Sequence, residues 1–175
     1  MDTSKESVVS DANPLPTGIR IALWGLMILC VICYVVSFGL PAIEIGKDNI
    51  AFGLEAFCDG IFALLVGCPA VFANPMLWSG FIVLGWRKWR IALVLGILAT
   101  ILSISTLMMY APGDDPRVSP DKIHYKITGL HPGYWWWLAS FVLFTSACML
   151  HVIATITQTL REHQGPDEAG CTARP

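Results

Sequence analysis

Residues 79–96, SGFIVLGWRKWRIALVLG, hold a short cationic segment between two apolar runs. The segment places Arg87, Lys88 and Arg90 almost next to one another. Apolar runs of this kind favour the hydrocarbon core of a bilayer, whereas charged side chains in that core cost free energy. A turn this short makes its two flanking runs antiparallel neighbours, and short cationic loops mark the cytoplasmic side of a membrane. The stretch therefore predicts a hairpin of two membrane helices with a cytoplasmic turn.

The composition of the whole chain supports a membrane protein. Of its 175 residues 55% are hydrophobic and only 14% are charged, whereas soluble domains carry roughly 25% charged residues. The polar surface that a water-facing globule needs is therefore missing. The formal net charge of -2 provides no basic field and argues against a nucleic-acid partner. The lipid bilayer is the partner that the composition predicts.

Four segments are candidates for crossing the membrane, because a helix needs about 20 consecutive apolar residues to do so. They cover about 19–40, 64–85, 91–110 and 134–157. We assign residues 18–160 to one all-α transmembrane domain, and expect disordered cytoplasmic tails at 1–17 and 161–175.

The extent of the second crossing is open to two interpretations, because the apolar stretch 50–85 is longer than one crossing and contains Glu55 and Asp59. Carboxylates are expensive at the bilayer centre. We therefore predict a short interfacial helix over 51–63, followed by the crossing. One long kinked helix is the alternative interpretation.

The distribution of cations predicts the orientation. With four crossings, seven of the 11 Lys and Arg residues lie inside, and the rest, Lys47, Arg117, Lys122 and Lys126, lie outside. Both termini are then cytoplasmic. Two of the external segments alternate in hydrophobicity, with Ile43 and Ile45 in one and Ile123, Tyr125 and Ile127 in the other. A period of two indicates strands, so we expect a small two-stranded external cap.

Aromatic residues gather at both ends of the predicted crossings. The row Tyr134, Trp135, Trp136 and Trp137 lies where the fourth crossing begins, and Trp86 and Trp89 flank the cationic turn. Tyr and Trp are enriched at membrane interfaces, since their rings are apolar while the O–H or N–H group favours water. Consecutive helical residues point about 100° apart and cannot form one stacking face. We therefore interpret these residues as interface anchors and packing groups rather than a ligand platform.

Four polar residues are candidates for a role within or beside the membrane. Glu55 and Asp59 are four residues apart, so on a helix they face the same way and could hold a proton or cation. Asn74 lies between Ala73 and Pro75 in the second crossing, where its amide can satisfy a backbone group freed by the proline. His151 is a titratable residue in the fourth crossing, which makes it a functional candidate by default. A structural role is the competing interpretation for each of them.

Cys30 and Cys33 form a C-x-x-C pattern within the first crossing. This spacing occurs in redox and metal sites, but reactive thiols need a polar, electropositive setting. Cysteine in an apolar helix otherwise behaves as a small hydrophobic residue. The spacings of His and Cys predict no metal site, and no cofactor motif is present. Small residues offer faces for helix contact: Gly96, Ala99, Thr100 and Ser103 in the third crossing, and Ala139, Ser140, Ser146 and Ala147 in the fourth.

Three motifs in order, GLEAFCDG, VFANPMLW and GYWWWLAS, resemble those of a family of small bacterial four-helix membrane proteins without an assigned activity. The similarity covers roughly residues 39–144. Phe72 stands where that family more often has Trp, and Trp135 and Trp137 also depart from its pattern. The resemblance implies the four-helix topology and a bacterial inner-membrane location, and it implies no mechanism.

Three classes of function remain open. The absence of an assembled catalytic motif favours a non-enzymatic membrane subunit or scaffold that acts through helix contacts, with a membrane-protein partner or as a homo-oligomer. The first alternative is an oligomeric permeation component for ions or small solutes, with Glu55, Asp59, Asn74 and His151 along its path. The second is a membrane thiol–quinone oxidoreductase that uses Cys30 and Cys33.

Overall fold

The computed structural model describes residues 15–45, 49–63, 69–109 and 127–168. Within these ranges the chain forms five α-helices and three strands. In chain order they are α1 (Thr17–Phe38), β1 (Pro41–Ile45), β2 (Asn49–Phe52), α2 (Gly53–Ala63), α3 (Ala73–Gly85), α4 (Trp89–Ile104), β3 (Ile127–Leu130) and α5 (Pro132–Glu168). A 3-10 turn, Pro69–Phe72, leads into α3, and a second, Ser105–Met109, follows α4.

Three of the described helical segments are long and apolar enough to cross a membrane. They are Thr17–Phe38, Trp89–Leu107 and Pro132–Arg161. The prediction of a mainly helical chain with membrane-spanning segments is confirmed to this extent. The 13 residues of α3 extend about 20 Å, which is shorter than the ~30 Å hydrocarbon core. Residues 64–68, the start of the predicted second crossing, lie outside the described residues.

Buried residues recur at alternating intervals of three and four along the long helices. The buried positions include Leu23, Met27, Cys30, Tyr34 and Ser37 in α1, Ala92, Gly96, Ala99 and Ser103 in α4, and Tyr134, Phe141, Phe144 and Cys148 in α5. This spacing keeps one seam of each helix facing its neighbour, as in bundles with small crossing angles. The helix α5 packs against both α1 and α4, and α4 also packs against α3.

The ring of Phe144 is the centre of the packing between α3, α4 and α5. It is completely buried, and two glycines make room for it. A methyl group at Gly80 would lie 2.7 Å from Cζ of Phe144, and one at Gly96 would lie 3.0 Å from Cδ1 of the same ring. Small residues thus let the helices approach closely, as the sequence predicts for Gly96, Ala99 and Ser103. Ser146, in contrast, points outward.

The small sheet has three antiparallel strands in the order β2-β1-β3. The expected pairing of the two alternating segments occurs, because Ile45 of β1 lies opposite Ile127 of β3. Ile123 and Tyr125 of the second segment lie outside the described residues. The predicted number of two strands is wrong. Residues 49–52 form β2, whereas the sequence predicts an interfacial helix that begins at residue 51. The second edge of β1 would have unpaired backbone N–H and C=O groups if only β3 were present. The strand β2, which is close to β1 in sequence, pairs with that edge.

The end of α1 and the starts of α2 and α5 meet beside β1. The N–H of Gly53 donates to the carbonyl of Leu40 at 2.9 Å. A side chain at Gly53 would collide with the carbonyl group of Ser37, and one at Gly133 would lie 2.7 Å from the carbonyl oxygen of Pro41. These glycines allow three backbone segments to approach one another. We call this part of the bundle the sheet end, and the part around Arg87–Arg90 the turn end.

Two boundaries differ from the predicted ones. Within the predicted second crossing, 64–85, α3 begins only at Ala73, after the 3-10 turn Pro69–Phe72, and residues 64–68 between α2 and that turn lie outside the described residues. The helix α5 continues to Glu168, into the segment for which we expected a disordered tail. Leu160, Arg161 and Glu162 favour a helix, so the polar composition of that segment does not end α5. Residues 1–14 and 169–175 lie outside the described residues.

Candidate functional site

Asn74 connects three helices at the sheet end. Its Oδ1 accepts one hydrogen bond from Oη of Tyr34 at 3.1 Å and another from Nε1 of Trp137 at 2.9 Å. Nε1 of Trp78 in turn donates to Oη of Tyr34 at 3.3 Å. An amide oxygen has two lone pairs, and both are used here. We call these four residues the aromatic–amide network, which joins α1, α3 and α5.

The local sequence explains how Asn74 reaches this position. Asn74 and Pro75 lie in the first turn of α3, where a proline removes no helical hydrogen bond. Trp78 follows Asn74 by four residues, so both side chains lie on the same face of α3. The rings of Trp78 and Tyr34 meet edge to face, with their centroids 5.8 Å apart. Asn74 thus accepts hydrogen bonds from aromatic side chains, which the sequence did not predict. Its donation to a freed backbone group stays a prediction.

The aromatic row at the start of α5 divides into two pairs. Tyr134 is 2% exposed, and its Oη donates to the carbonyl oxygen of Ser103 at 3.1 Å. Trp137 lies three residues later and faces Asn74. Trp135 and Trp136 are 51% and 42% exposed. The role of interface anchor thus remains a prediction for the outward pair, whereas Tyr134 holds α5 against α4 and Trp137 holds it against α3.

At the turn end, the ring of His151 stacks on that of Trp89. The centroids are 3.8 Å apart and the ring planes differ by 5°. The Nδ1 atom of His151 is buried and has no hydrogen-bond partner. Trp86, predicted with Trp89 as an anchor, lies in the turn and is exposed. The second half of α5 is therefore held to the start of α4 by ring contact.

An open cleft of about 360 Å³ lies beside this stack. We call it the basic cleft. It is lined by Arg87, Lys88, Trp89, Arg90, Ile91, His151, Val152, Thr155 and Ile156. Three of these residues are cationic, and the others are mainly apolar or aromatic. No sequence motif predicted that the cations and His151 would share one cleft.

The two predicted carboxylates lie on α2. Oε2 of Glu55 accepts a hydrogen bond from the N–H of Phe52 at 3.0 Å. A carboxylate in the first turn that reaches back to the residue before the helix stabilises the helix start. Glu55 is therefore a capping residue. The side chain of Asp59 lies outside the described residues, although its backbone belongs to α2.

The predicted polar residues do not form one site. Asn74 binds Trp137, whereas His151 is 14 residues further along α5, which corresponds to about 21 Å along the helix axis. Glu55 is at the sheet end with the start of α2. The structure thus separates Asn74, Glu55 and His151 into three settings.

The two cysteines of the C-x-x-C pattern are buried in the bundle as free thiols. Cys30 belongs to the same apolar cluster as Cys148 of α5. Cys58 is free and exposed, and Cys68 and Cys171 lie outside the described residues. The burial of Cys30 and Cys33 agrees with their interpretation as small hydrophobic residues.

Sequence reasoning missed Tyr34 and Trp78 as members of the network. One signal was available in the spacing of α5, where Tyr134, Trp137, Phe141, Phe144 and Cys148 follow each other at intervals of three and four. That pattern places Tyr134 and Trp137 on the packed seam. No comparable signal distinguishes Tyr34 within the apolar sequence of α1.

Comparisons with protein-family models, with curated proteins and with solved structures give no match to the chain. The resemblance to the small four-helix bacterial family therefore remains an expectation from the sequence motifs.

Proposed function

We propose that this chain is a non-enzymatic integral membrane subunit or scaffold that acts through helix contacts. The aromatic–amide network carries this proposal. It uses Asn74, the most polar side chain in the first turns of α3, to fix the positions of three helices. Within a bilayer such hydrogen bonds hold helices together, because lipid chains supply no hydrophobic force between them. The polar side chains inside the bundle thus serve to fix the relative positions of its helices.

The proposed topology has four crossings with both termini in the cytoplasm. The α1 and α4 helices end at the sheet end, where Tyr134 at the start of α5 bonds Ser103. The α3 helix starts at that end, since Asn74 bonds Tyr34 and Trp137. The directions of α1, α3, α4 and α5 therefore alternate, as four successive crossings require. Together with the 3-10 turn before it, α3 extends about 28 Å, close to the ~30 Å hydrocarbon core.

The outer surface of the bundle is apolar enough for lipid or for another membrane helix. Large exposed side chains include Ile21, Trp24, Ile28 and Val35 on α1, and Val94, Ile97 and Ile101 on α4. On α1, a side chain at Gly25 would meet no atom within 4 Å. A substitution there changes the outer surface and leaves the internal packing intact.

The experiment is purification of the tagged full-length chain in a gentle detergent, followed by identification of what remains bound. Gly25→Leu alters the outer face of α1, and Ile97→Ala alters that of α4. If the chain is a scaffold, we expect it to purify with a stoichiometric partner or as a defined oligomer. At least one of the two variants should lose this association, and the thermal unfolding of both should be unchanged. A monomer in both detergent and lipid nanodiscs, with no bound protein, would contradict the proposal.

The permeation alternative is tested with the same purified chain. In reconstituted vesicles, the scaffold proposal predicts that Asn74→Ala and His151→Ala leave conductance and proton flux at the level of empty vesicles. A flux that depends on either residue would instead support a permeation component.

The redox alternative requires thiols that exchange electrons with a quinone. The double variant Cys30→Ser with Cys33→Ser should retain the unfolding behaviour and partners of the native chain if these residues only fill space. A change of thiol redox state on addition of quinone, lost in the double variant, would support the oxidoreductase.

A further inference from the structure

The basic cleft places cationic side chains beside the start of α4, the end of the helix that carries a partial positive charge. Arg87, Lys88 and Arg90 surround the start of α4, whose first turn contains no acidic residue and no side-chain cap. The first N–H groups of a helix have no helical partner, and the helix dipole makes this end attractive to anions and unfavourable for cations. Among the side chains that the structure describes, which do not include those of residues 162–168, none of the three cations forms an ion pair with a carboxylate. No side chain in that set supplies the cleft with a compensating negative charge.

Arg87 also occupies a backbone position that favours glycine. Its φ angle is 57°. The N–H of Arg87 bonds the carbonyl of Leu84, and that of Lys88 bonds the carbonyl of Val83, which is the usual hydrogen-bond pattern after a helix with a left-handed closing residue. A residue other than glycine pays a conformational cost there. The guanidinium group of Arg87 nevertheless lies at the edge of the cleft.

The other walls of the cleft are suited to an amphipathic molecule. Trp89 and His151 form a flat stacked surface, and Ile91, Val152 and Ile156 provide an apolar side. The volume of about 360 Å³ lies at the lower end of the roughly 300–1,000 Å³ found for small-molecule sites. It can accept a headgroup, while lipid chains would continue from Ile91 along the exposed Val94 and Leu98 of α4 towards the sheet end.

We propose that the basic cleft binds the headgroup of an anionic phospholipid in the leaflet that contains the turn. The phosphate oxygens would accept hydrogen bonds from the guanidinium groups and from the N–H groups of Trp89 and Arg90, because the next two N–H groups of α4 already bond the carbonyl of Lys88. Basic pockets beside membrane helices bind such headgroups through this combination of charge and shape. The bound phosphate would offset the repulsion among the three cations.

The test uses native mass spectrometry of the purified full-length chain, loaded from mixed phosphatidylglycerol and phosphatidylcholine micelles. We expect one retained phosphatidylglycerol per chain. The double variant Arg87→Gln with Arg90→Gln should weaken its retention at least about tenfold. The control, Arg20→Gln with Arg161→Gln, removes the same charge from exposed positions outside the cleft. This control variant should still retain phosphatidylglycerol. Equal losses in both variants would show general charge attraction and overturn the proposal.

A second pair of variants tests the cleft without changing its charge. Val152→Trp fills the cleft, whereas Ile153→Trp adds the same ring on an exposed face that does not line it. Retention should fall in the first variant only. This pair remains informative if the loss of cations disturbs folding or orientation.

Inorganic phosphate distinguishes a lipid from a soluble anion. If the site serves the lipid, added phosphate should not displace phosphatidylglycerol from the cleft. Displacement by phosphate, or retention of phosphatidylcholine to the same extent, would contradict the proposal. The result is independent of the scaffold function, because the lipid measurement requires no protein partner.

Discussion

The two ends of this bundle are held together in different ways. At the sheet end, the aromatic–amide network and the bond from Tyr134 to Ser103 connect α1, α3, α4 and α5. Glycines there bring backbone segments into direct contact. At the turn end, one ring stack and an open cleft take the place of such bonds. Side chains fix the helices at one end and leave space between them at the other.

The difference shows that polar side chains have different roles at the two ends of the helices: they form bonds between helices at the sheet end and line an open cleft at the turn end. Hydrogen bonds between helices in a bilayer are modest individually, at about 0.6 kcal/mol on average. Several of them at one end can nevertheless define the relative rotation of the helices. The opposite end is then free to carry the cations of the turn, which we propose that an anionic lipid neutralises. Substitutions should therefore cost more at the sheet end than at the turn end.

The largest effect is expected for Gly53→Ala at the sheet end. The added methyl group would meet the backbone carbonyl of Ser37, which cannot move as a flexible side chain can. We expect a loss of about 3 kcal/mol, at the upper end of the usual cost of overpacking. The measurement is unfolding of the detergent-solubilised chain by sodium dodecyl sulfate, followed by circular dichroism. Gly25→Ala is the control, because its position is open; equal stability of the two variants would refute the close approach.

A smaller loss is expected for Asn74→Leu. The substitution removes the acceptor for Tyr34 and Trp137 and leaves two donors without a partner, which should cost about 1–3 kcal/mol. The same unfolding assay measures it. Trp137→Phe should lose part of this free energy, and Trp136→Phe, at the neighbouring exposed position, should lose none. If both Trp variants behave alike, the division of the aromatic row is incorrect.

The smallest loss is expected for His151→Ala at the turn end. The variant removes the stack on Trp89, and a single aromatic contact contributes about 0.5–1.5 kcal/mol beyond buried area. The near-ultraviolet circular dichroism of Trp89 should change with it. His151→Phe should restore the stacking. A loss for His151→Ala larger than that for Asn74→Leu would reverse the proposed order of the two ends.

Several features of the fold follow from the sequence because they depend on the hydropathy and charge of a continuous segment of the chain. The apolar runs of α1 and α4 predict membrane-compatible helices whatever their rotation, and the cations of the turn predict its position between two helices. The alternation around Ile43 and Ile45 predicts β1 and its pairing with the segment that contains Ile127. The strand β2 was missed, since residues 49–52 are too few to show a clear period.

The candidate site was predictable only in part. The sequence indicates Asn74, His151 and Trp89 as candidates because they are polar or aromatic residues within or beside an apolar segment. Their partners could not be inferred, since α1 is apolar on all sides and its sequence does not show which face Tyr34 occupies. The basic cleft combines Arg87 with His151, which are 64 positions apart, and no local pattern encodes such a pair.

The sequence by itself determined which segments are apolar enough for a membrane and where the charged turn interrupts them, because hydropathy is a property of composition over about 20 residues. The tertiary structure decided which faces of those helices meet, and therefore that Asn74 lies between Tyr34 and Trp137 and that His151 lies beside the cations. The physical reason is that rotation about a helix axis leaves its hydropathy unchanged. Close packing around Phe144 and a few hydrogen bonds select one rotation among many.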